Sequence, residues 1–173
     1  MRRRARTLGI ALVALFCFVQ CDSDDACEAG ESCECAGGFD CYLGCDGGGC
    51  DQFCHDVTNC GVVCGDLCST RCQSVENCSS FCDGGCSTEC RSVATCGTIC
   101  GADCDYRCIS ASRCGARVGD GSTVRCESVG SCVVECEGTC HVTCVSVSEC
   151  SVTCEGGGAP TECGNGVRAC GPC

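Results

Sequence analysis

Large side chains are scarce in this chain of 173 residues, which has no tryptophan, two tyrosines and five phenylalanines. Much of its 45% hydrophobic content is cysteine and alanine, with valine as the main larger aliphatic residue. That excludes a conventional core of interlocking bulky side chains, so cross-links have to supply what apolar burial does not. Positive charge is also in short supply: 11 basic against 23 acidic residues give a net charge of −12. So acidic a body repels phosphate backbones and anionic membrane surfaces, which argues against nucleic acid as a partner. The same charge keeps a sulfur-rich surface in solution. Beyond Val19 no run is apolar enough to cross a bilayer. No glycine-rich stretch has the strand, helix and lysine of a phosphate-binding loop.

What is present begins with an export signal. Met1-Arg2-Arg3-Arg4-Ala5-Arg6 is a basic head, and Leu8 to Val19 is an apolar run too short for a comfortable membrane span. Residues 1–20 therefore read as a signal peptide. The tract Phe18-Val19-Gln20-Cys21 resembles a bacterial lipobox, with Cys21 as the lipidation candidate, although Gln20 stands where a small residue is expected. Lipidation would anchor the protein to a membrane through its acyl chains alone. The other outcome is cleavage nearby, for instance after Ser23, with full release. Residues 21–34 read as an acidic tether and N-terminal cap.

Thirty-two residues are cysteine, about twice the level that marks a disulfide scaffold. They recur with a fixed period. Cys54, Cys72, Cys90, Cys108, Cys126 and Cys144 are 18 residues apart, and so are Cys60, Cys78, Cys96, Cys114, Cys132 and Cys150. Each unit reads C-x5-C-x3-C-x3-C-x3-C, and the array spans residues 35–154, with one extra residue in its first unit, Cys35 to Cys54. Residues 155–173 form a glycine-rich C-terminal cap containing Cys163, Cys170 and Cys173.

Within the array every cysteine from Cys54 onward has an even number, the period-2 signature of strands with one sulfur-bearing face. Odd positions carry much of the charge, including Arg71, Glu89, Arg107, Arg125 and Glu135. Gly, Ser, Thr and Val between the cysteines disfavour a helix. Two strands per unit follow, one between the cysteines of the 60 and 64 type and one between those of the 68 and 72 type. The parity also predicts that Ser74, Ser92, Ser110, Ser128 and Ser146 point inward, and that Val75, Val93 and Val129 form an outward apolar ridge. The fold class expected is all-β and disulfide-rich, a short-coil β-solenoid of 18-residue repeats, with tandem disulfide-stapled hairpins as the alternative.

One unit loses two cysteines together. Between Cys114 and Cys126 the middle positions are Val118 and Ser122. Joint loss suggests nested pairing, middle with middle and outer with outer. The scheme predicts Cys64–Cys68, Cys82–Cys86, Cys100–Cys104 and Cys136–Cys140 as middle bridges. Its outer bridges are Cys60–Cys72, Cys78–Cys90, Cys96–Cys108, Cys114–Cys126 and Cys132–Cys144. With Cys21 set aside, 30 later cysteines allow about 15 bridges.

No catalytic site is expected. His55 and His141 lie in different columns of the repeat, and no serine is marked as activated. The single C-x-x-C, Cys170-Gly171-Pro172-Cys173, resembles a redox dipeptide without the surrounding fold, and reads as a tail staple. Asp46, Asp83 and Asp120 sit in glycine-rich turns and read as turn formers rather than calcium ligands. Outward threonines such as Thr95 and Thr123 do not align into an ice-binding array. Metal storage by thiolates is the alternative function, but zinc sites favour C-x2–4-C pairs set apart by longer segments, whereas this cadence is rigid and unbroken, and export favours oxidised sulfur. No cofactor or metal is expected.

The array from Cys35 to Cys154, with units such as Ser-Val-Thr-Cys (151–154) and His-Val-Thr-Cys (141–144), resembles the cysteine-rich short-repeat exported proteins of bacteria, among them lipoproteins. The resemblance implies a cell-envelope location and no assigned activity. Together these features point to a secreted or envelope-bound structural or surface-interaction protein without enzymatic activity, and they identify no particular partner among proteins or surfaces.

Overall fold

The structure is a computed structural model that describes residues 25–173. The expected signal peptide, the lipidation candidate Cys21 and the first residues of the expected acidic tether lie outside the described residues.

The chain winds into a two-sided β-solenoid. One broad face is built from β5 (Asn77–Gly84), β7 (Thr95–Ala102), β9 (Arg113–Gly119), β11 (Ser131–Glu137) and β13 (Glu149–Cys154). The other holds the shorter β4 (Ser69–Gln73), β6 (Ser87–Arg91), β8 (Asp105–Ile109), β10 (Ser122–Glu127) and β12 (Cys140–Val145). Near the N-terminus β1 (Asp25–Cys27) pairs with β2 (Ser32–Cys45), which pairs with β3 (Asp51–Asp66). β2 and β3 run without interruption around one edge and so belong to both faces. All coil-to-coil pairing is parallel and in register: Cys78 lies on Cys60 and Cys96 on Cys78. A string of hairpins would pair antiparallel, so the hairpin alternative is set aside. About seven coils at the β-sheet spacing make a rod about 30 Å long.

Two corners turn the chain in each coil. Both need a residue with positive φ, the conformation that turns a strand sharply. The first corner uses Ser74 (φ 54°), Ser92 (54°), Ser110 (56°), Ser128 (56°) and Ser146 (53°). Asp56 and Gly37 occupy the same column in the earlier coils. The second corner uses Leu67, Gly85, Asp103 and Gly121. Corner amides are not orphaned, because the coil-to-coil ladder continues through them: Ser74 N–H donates to Arg91 O at 3.2 Å and Gly85 N–H to Ala102 O at 2.8 Å.

This corner overturns the expected orientation of the Ser-Val pairs. The serines are exposed, whereas Val75, Val93, Ala111 and Val129 are buried, Val75 and Val129 to 2% exposure. From Cys72 to Cys78 the chain runs in, out, out, in, out, out, in. A six-residue step returns inward after three alternations or after two turns of three, so even numbering of the cysteines could not distinguish them. The corner valines thus fill the bend, each worth about 1.5–3 kcal/mol of burial.

Fifteen disulfides take up all 30 cysteines of the described residues. At the second corner the structure joins Cys64–Cys68, Cys82–Cys86, Cys100–Cys104 and Cys136–Cys140. At the first corner it joins Cys54–Cys60, Cys72–Cys78, Cys90–Cys96, Cys108–Cys114, Cys126–Cys132 and Cys144–Cys150. These replace the expected outer bridges Cys60–Cys72, Cys78–Cys90, Cys96–Cys108, Cys114–Cys126 and Cys132–Cys144. The physical reason is stacking. Cys72 lies directly on Cys54, so Cys60 has both sulfurs near, within 4.8 Å. The bend across the serine corner brings Cys54 and Cys60 to a Cα separation of 6.3 Å, and the bond closes inside the coil. Loss of Cys at 118 and 122 constrains only the pair that faces itself across the second corner.

A coil's interior is therefore a disulfide at either end, save where Val118 and Ser122 replace the second-corner bridge, with one facing side-chain pair between. The pairs are Val62 with Thr70, Ser80 with Thr88, Thr98 with Tyr106, Ala116 with Val124 and Val134 with Val142, all buried. Ser80, Thr88, Thr98 and Tyr106 are hydrogen bonded. Ser80 Oγ reaches Thr98 Oγ1 at 2.8 Å, and the Tyr106 hydroxyl donates to Cys96 O at 3.1 Å. Burial pushes the Tyr106 phenol well above its ordinary range, so it stays a neutral donor.

Where the second-corner bridge is missing, Ser122 substitutes for sulfur. Cys104 N–H donates to Ser122 Oγ at 3.1 Å, as Cys68 N–H does to Cys86 Sγ at 3.3 Å. The pair Val118→Cys with Ser122→Cys should thus close a sixteenth bridge. A bridge across so short a loop stabilises by about 2 kcal/mol. The double variant should show no free thiol and melt higher, while Val118→Cys alone should show one thiol per chain. A free thiol pair in the double variant would contradict the corner geometry.

The C-terminal tail folds back as a cap. β14 (Thr161–Gly164) and β15 (Val167–Cys170) form an antiparallel pair, and β15 covers β12. Cys170 is bonded to Cys154 and Cys173 to Cys163, so the C-x-x-C does not close on itself. Strand pairing of the solenoid begins at Asp25, which lies opposite Leu43.

Candidate functional site

The interior is filled by sulfur and facing side-chain pairs, so the surfaces that can meet another molecule are the two broad faces and the corners. The faces differ sharply in chemistry.

On the short-strand face the outward columns are ionic. Arg71 pairs with Asp51 at 3.2 Å, Arg107 with Asp105 at 2.9 Å, Arg125 with Glu127 at 3.0 Å, and Arg91 with Glu89. Exposed pairs of this kind contribute about 0–1 kcal/mol each. A shallow trough here is lined by Arg91, Arg107, Arg125 and His141, but each arginine already faces a carboxylate. The face is solvated and close to neutral rather than an anion site.

The long-strand face is apolar at its centre. Val63, Phe81 and Ile99 stack in one outward column and are 60%, 47% and 49% exposed. Beside them runs a column of small residues, Gly61, Ser79, Gly97 and Gly115, with Tyr42 at its N-terminal end. The result is an open trough with an aliphatic and aromatic wall. The Tyr42 ring lies over Gly61, where a Cβ would fall 2.7 Å from Tyr42 Cδ1. The outer flank is polar: Asn77 Nδ2 donates to Asn59 Oδ1 at 2.9 Å and Asn59 Nδ2 to Asp40 Oδ1 at 2.6 Å. Sequence reasoning missed this column. Its signal is three large apolar residues, Val63, Phe81 and Ile99, at 18-residue spacing.

The first corner of the N-terminal coils carries the one histidine cluster among the described residues. His55 Nε2 lies 2.8 Å from Glu34 and Nδ1 3.0 Å from Asp56. Its ring stacks on Phe53 with centroids 4.8 Å apart, and the Arg71 guanidinium sits 5.6 Å from the Phe53 centroid. The hydrogen bond to Asp56, then that to Glu34, raise the imidazole pKa above 6.5. A group whose pKa rises on folding stabilises the folded state below its unfolded pKa, and that contribution is lost as pH climbs through the folded value. The apparent melting temperature should therefore fall from pH 6 toward pH 8 more in the native chain than in His55→Gln. Equal slopes in a set of melts at constant salt would contradict this. His141 lies on the same short-strand face but in a different column and several coils away, and the two histidines do not meet.

The corners also hold the groups that bear on metal. Three sulfurs lie within 4.8 Å of one another in the sets Cys54/Cys60/Cys72, Cys72/Cys78/Cys90 and Cys82/Cys86/Cys100, among others. Each set is one bridge plus a sulfur of the next bridge, so every member is disulfide-bonded. Asp120, one of the turn aspartates, accepts from Thr139 N–H at 2.8 Å and from the Thr139 hydroxyl. Those bonds hold its carboxyl below the usual range. Its role is to tie one coil to the next.

Compared with known proteins, the chain matches no family model, no curated protein and no solved structure.

Proposed function

We propose that the protein is an exported, non-enzymatic structural or surface-contact component of the cell envelope, a covalently locked rod that holds its faces in fixed register. The observation that carries this reading is that every described cysteine is disulfide-bonded, most of them in a stacked ladder, which leaves no thiol among the described residues for catalysis or metal. Disulfides at this density are typical of extracellular proteins. The basic and apolar N-terminus and the resemblance to bacterial cysteine-rich exported repeats support the envelope location, with Cys21 as the anchoring residue if it is lipidated.

A second reading, thiolate metal storage, is favoured by the three-sulfur sets at the corners. It requires those bridges to be reduced, because a disulfide sulfur is no thiolate ligand. Thiol titration and elemental analysis of exported protein, purified without reductant, separate the two. The scaffold reading expects fewer than one thiol per chain and no stoichiometric metal. Many thiols with bound soft metal would overturn it in favour of the store. The intact mass of the same sample reports the cleavage site and any acyl chains on Cys21.

A further inference from the structure

We propose that the long-strand face is a self-association surface, on which a second copy of this chain packs face to face with its rod axis reversed. The inference goes beyond the scaffold reading and is independent of where the protein resides.

The first observation is charge. Every described arginine except Arg113 has a carboxylate partner. Arg113 is exposed, in the outward column that also holds Asp40, Asn59, Asn77 and Thr95. Asp40 accepts from Asn59 and meets no cation among the described residues. The two charges sit at opposite ends of the apolar trough, with three coils between them. Reversing a second rod about the middle of these coils, at Phe81, brings each Asp40 opposite the partner copy's equivalent of Arg113, twice by symmetry.

The second observation is size. In the coil of Asp40 the next two outward residues are Tyr42 and Gly44, large then absent. In the coil of Arg113 they are Gly115 and Arg117, absent then large. The reversed pairing sets Tyr42 over Gly115, where a Cβ position has nothing within 4 Å, and Arg117 over Gly44, which is equally open. Arg117 then lies beside a Tyr42 ring, a favourable cation–π neighbour. Between these ends Val63 meets Ile99, and Phe81 meets its symmetry mate. A rod-parallel pairing would instead place Asp40 near Asp46 of the second copy and leave Arg113 without a partner.

The third is area. Five coils cover about 24 Å and a seven-residue strand about 23 Å, so roughly 550 Å² per copy and about 1,100 Å² in total is covered. That is the lower edge of specific interfaces, which implies reversible association rather than a permanent dimer.

Sedimentation velocity on the oxidised protein from low to high micromolar concentration tests this. The native chain should show a reversible monomer–dimer equilibrium. Arg113→Asp should weaken it at least tenfold, Phe81→Asp should abolish it, and Asp40→Arg with Arg113→Asp should restore it. These side chains are exposed, and an unchanged thiol count and circular dichroism spectrum confirm that the variants fold. A monomer at every concentration overturns the proposal. So does a dimer indifferent to Arg113→Asp, or one that the double reversal fails to rescue, since that association would use another face or orientation.

Discussion

Treated with excess dithiothreitol and no denaturant, the protein should lose its β-sheet circular dichroism and expand to the hydrodynamic size of an unfolded chain. Each bridge closes a short loop and contributes about 2 kcal/mol, so a handful of them equals the whole net stability of an ordinary domain. Little remains once they are cut. The interior pairs are small, Ser80 facing Thr88 and Ala116 facing Val124, and the one large aromatic inside is Tyr106. Thirty freed thiols would be small hydrophobes with weak donors, not a packed core. The net charge of −12 then favours expansion. Retention of native-like dichroism and compactness after complete reduction and alkylation would show that the bridges are ornament.

Gly101→Ala should be the most damaging single methyl group on the rod. A Cβ at Gly101 would lie 1.7 Å from Asp83 O and 2.9 Å from Asp83 C. Those are backbone atoms of the coil beneath, so no side chain can swing aside. The second corners would have to separate by more than an ångström, where Gly85 N–H bonds Ala102 O at 2.8 Å. Neighbouring bridges Cys82–Cys86 and Cys100–Cys104 hold those corners closed. Overpacking of this kind costs about 3 kcal/mol. The expected result is a lower melting temperature and slower oxidative folding, read by the rate at which free thiol disappears. Gly97→Ala, in the same coil with open space at its Cβ, should be nearly silent. A silent Gly101→Ala would mean that the corners do not stack as closely as the coils require.

The repeat was legible because it is covalent chemistry at fixed spacing. An 18-residue period without drift leaves few folds other than a stack of coils, and glycine–aspartate tracts such as Asp83-Gly84-Gly85 mark the second corner. The first corner was not legible for a physical reason. A serine with positive φ has no composition signature as strong as glycine, and Cys72 and Cys78 keep the same parity whether the chain alternates or bends between them. That one ambiguity misplaced Val75, Val93 and Val129 and also the outer bridges. Stacking adds to it, because Cys60 has two sulfurs near, one in its own coil and one in the next. The long-strand face was hidden differently: Val63, Phe81 and Ile99 are singly unremarkable, and only the register of the coils makes them one surface.

The central claim is that bridges close within coils, and the arginines allow it to be read directly. Trypsin applied to the oxidised protein in urea at mildly acidic pH cuts after Arg107, Arg113 and Arg117, isolating Cys108 in residues 108–113 and Cys114 in residues 114–117. The account predicts that these two short peptides appear joined to each other and to nothing else, as the Cys108–Cys114 bridge requires. Peptide 114–117 found linked to the fragment carrying Cys126, or released as a free thiol, would contradict it.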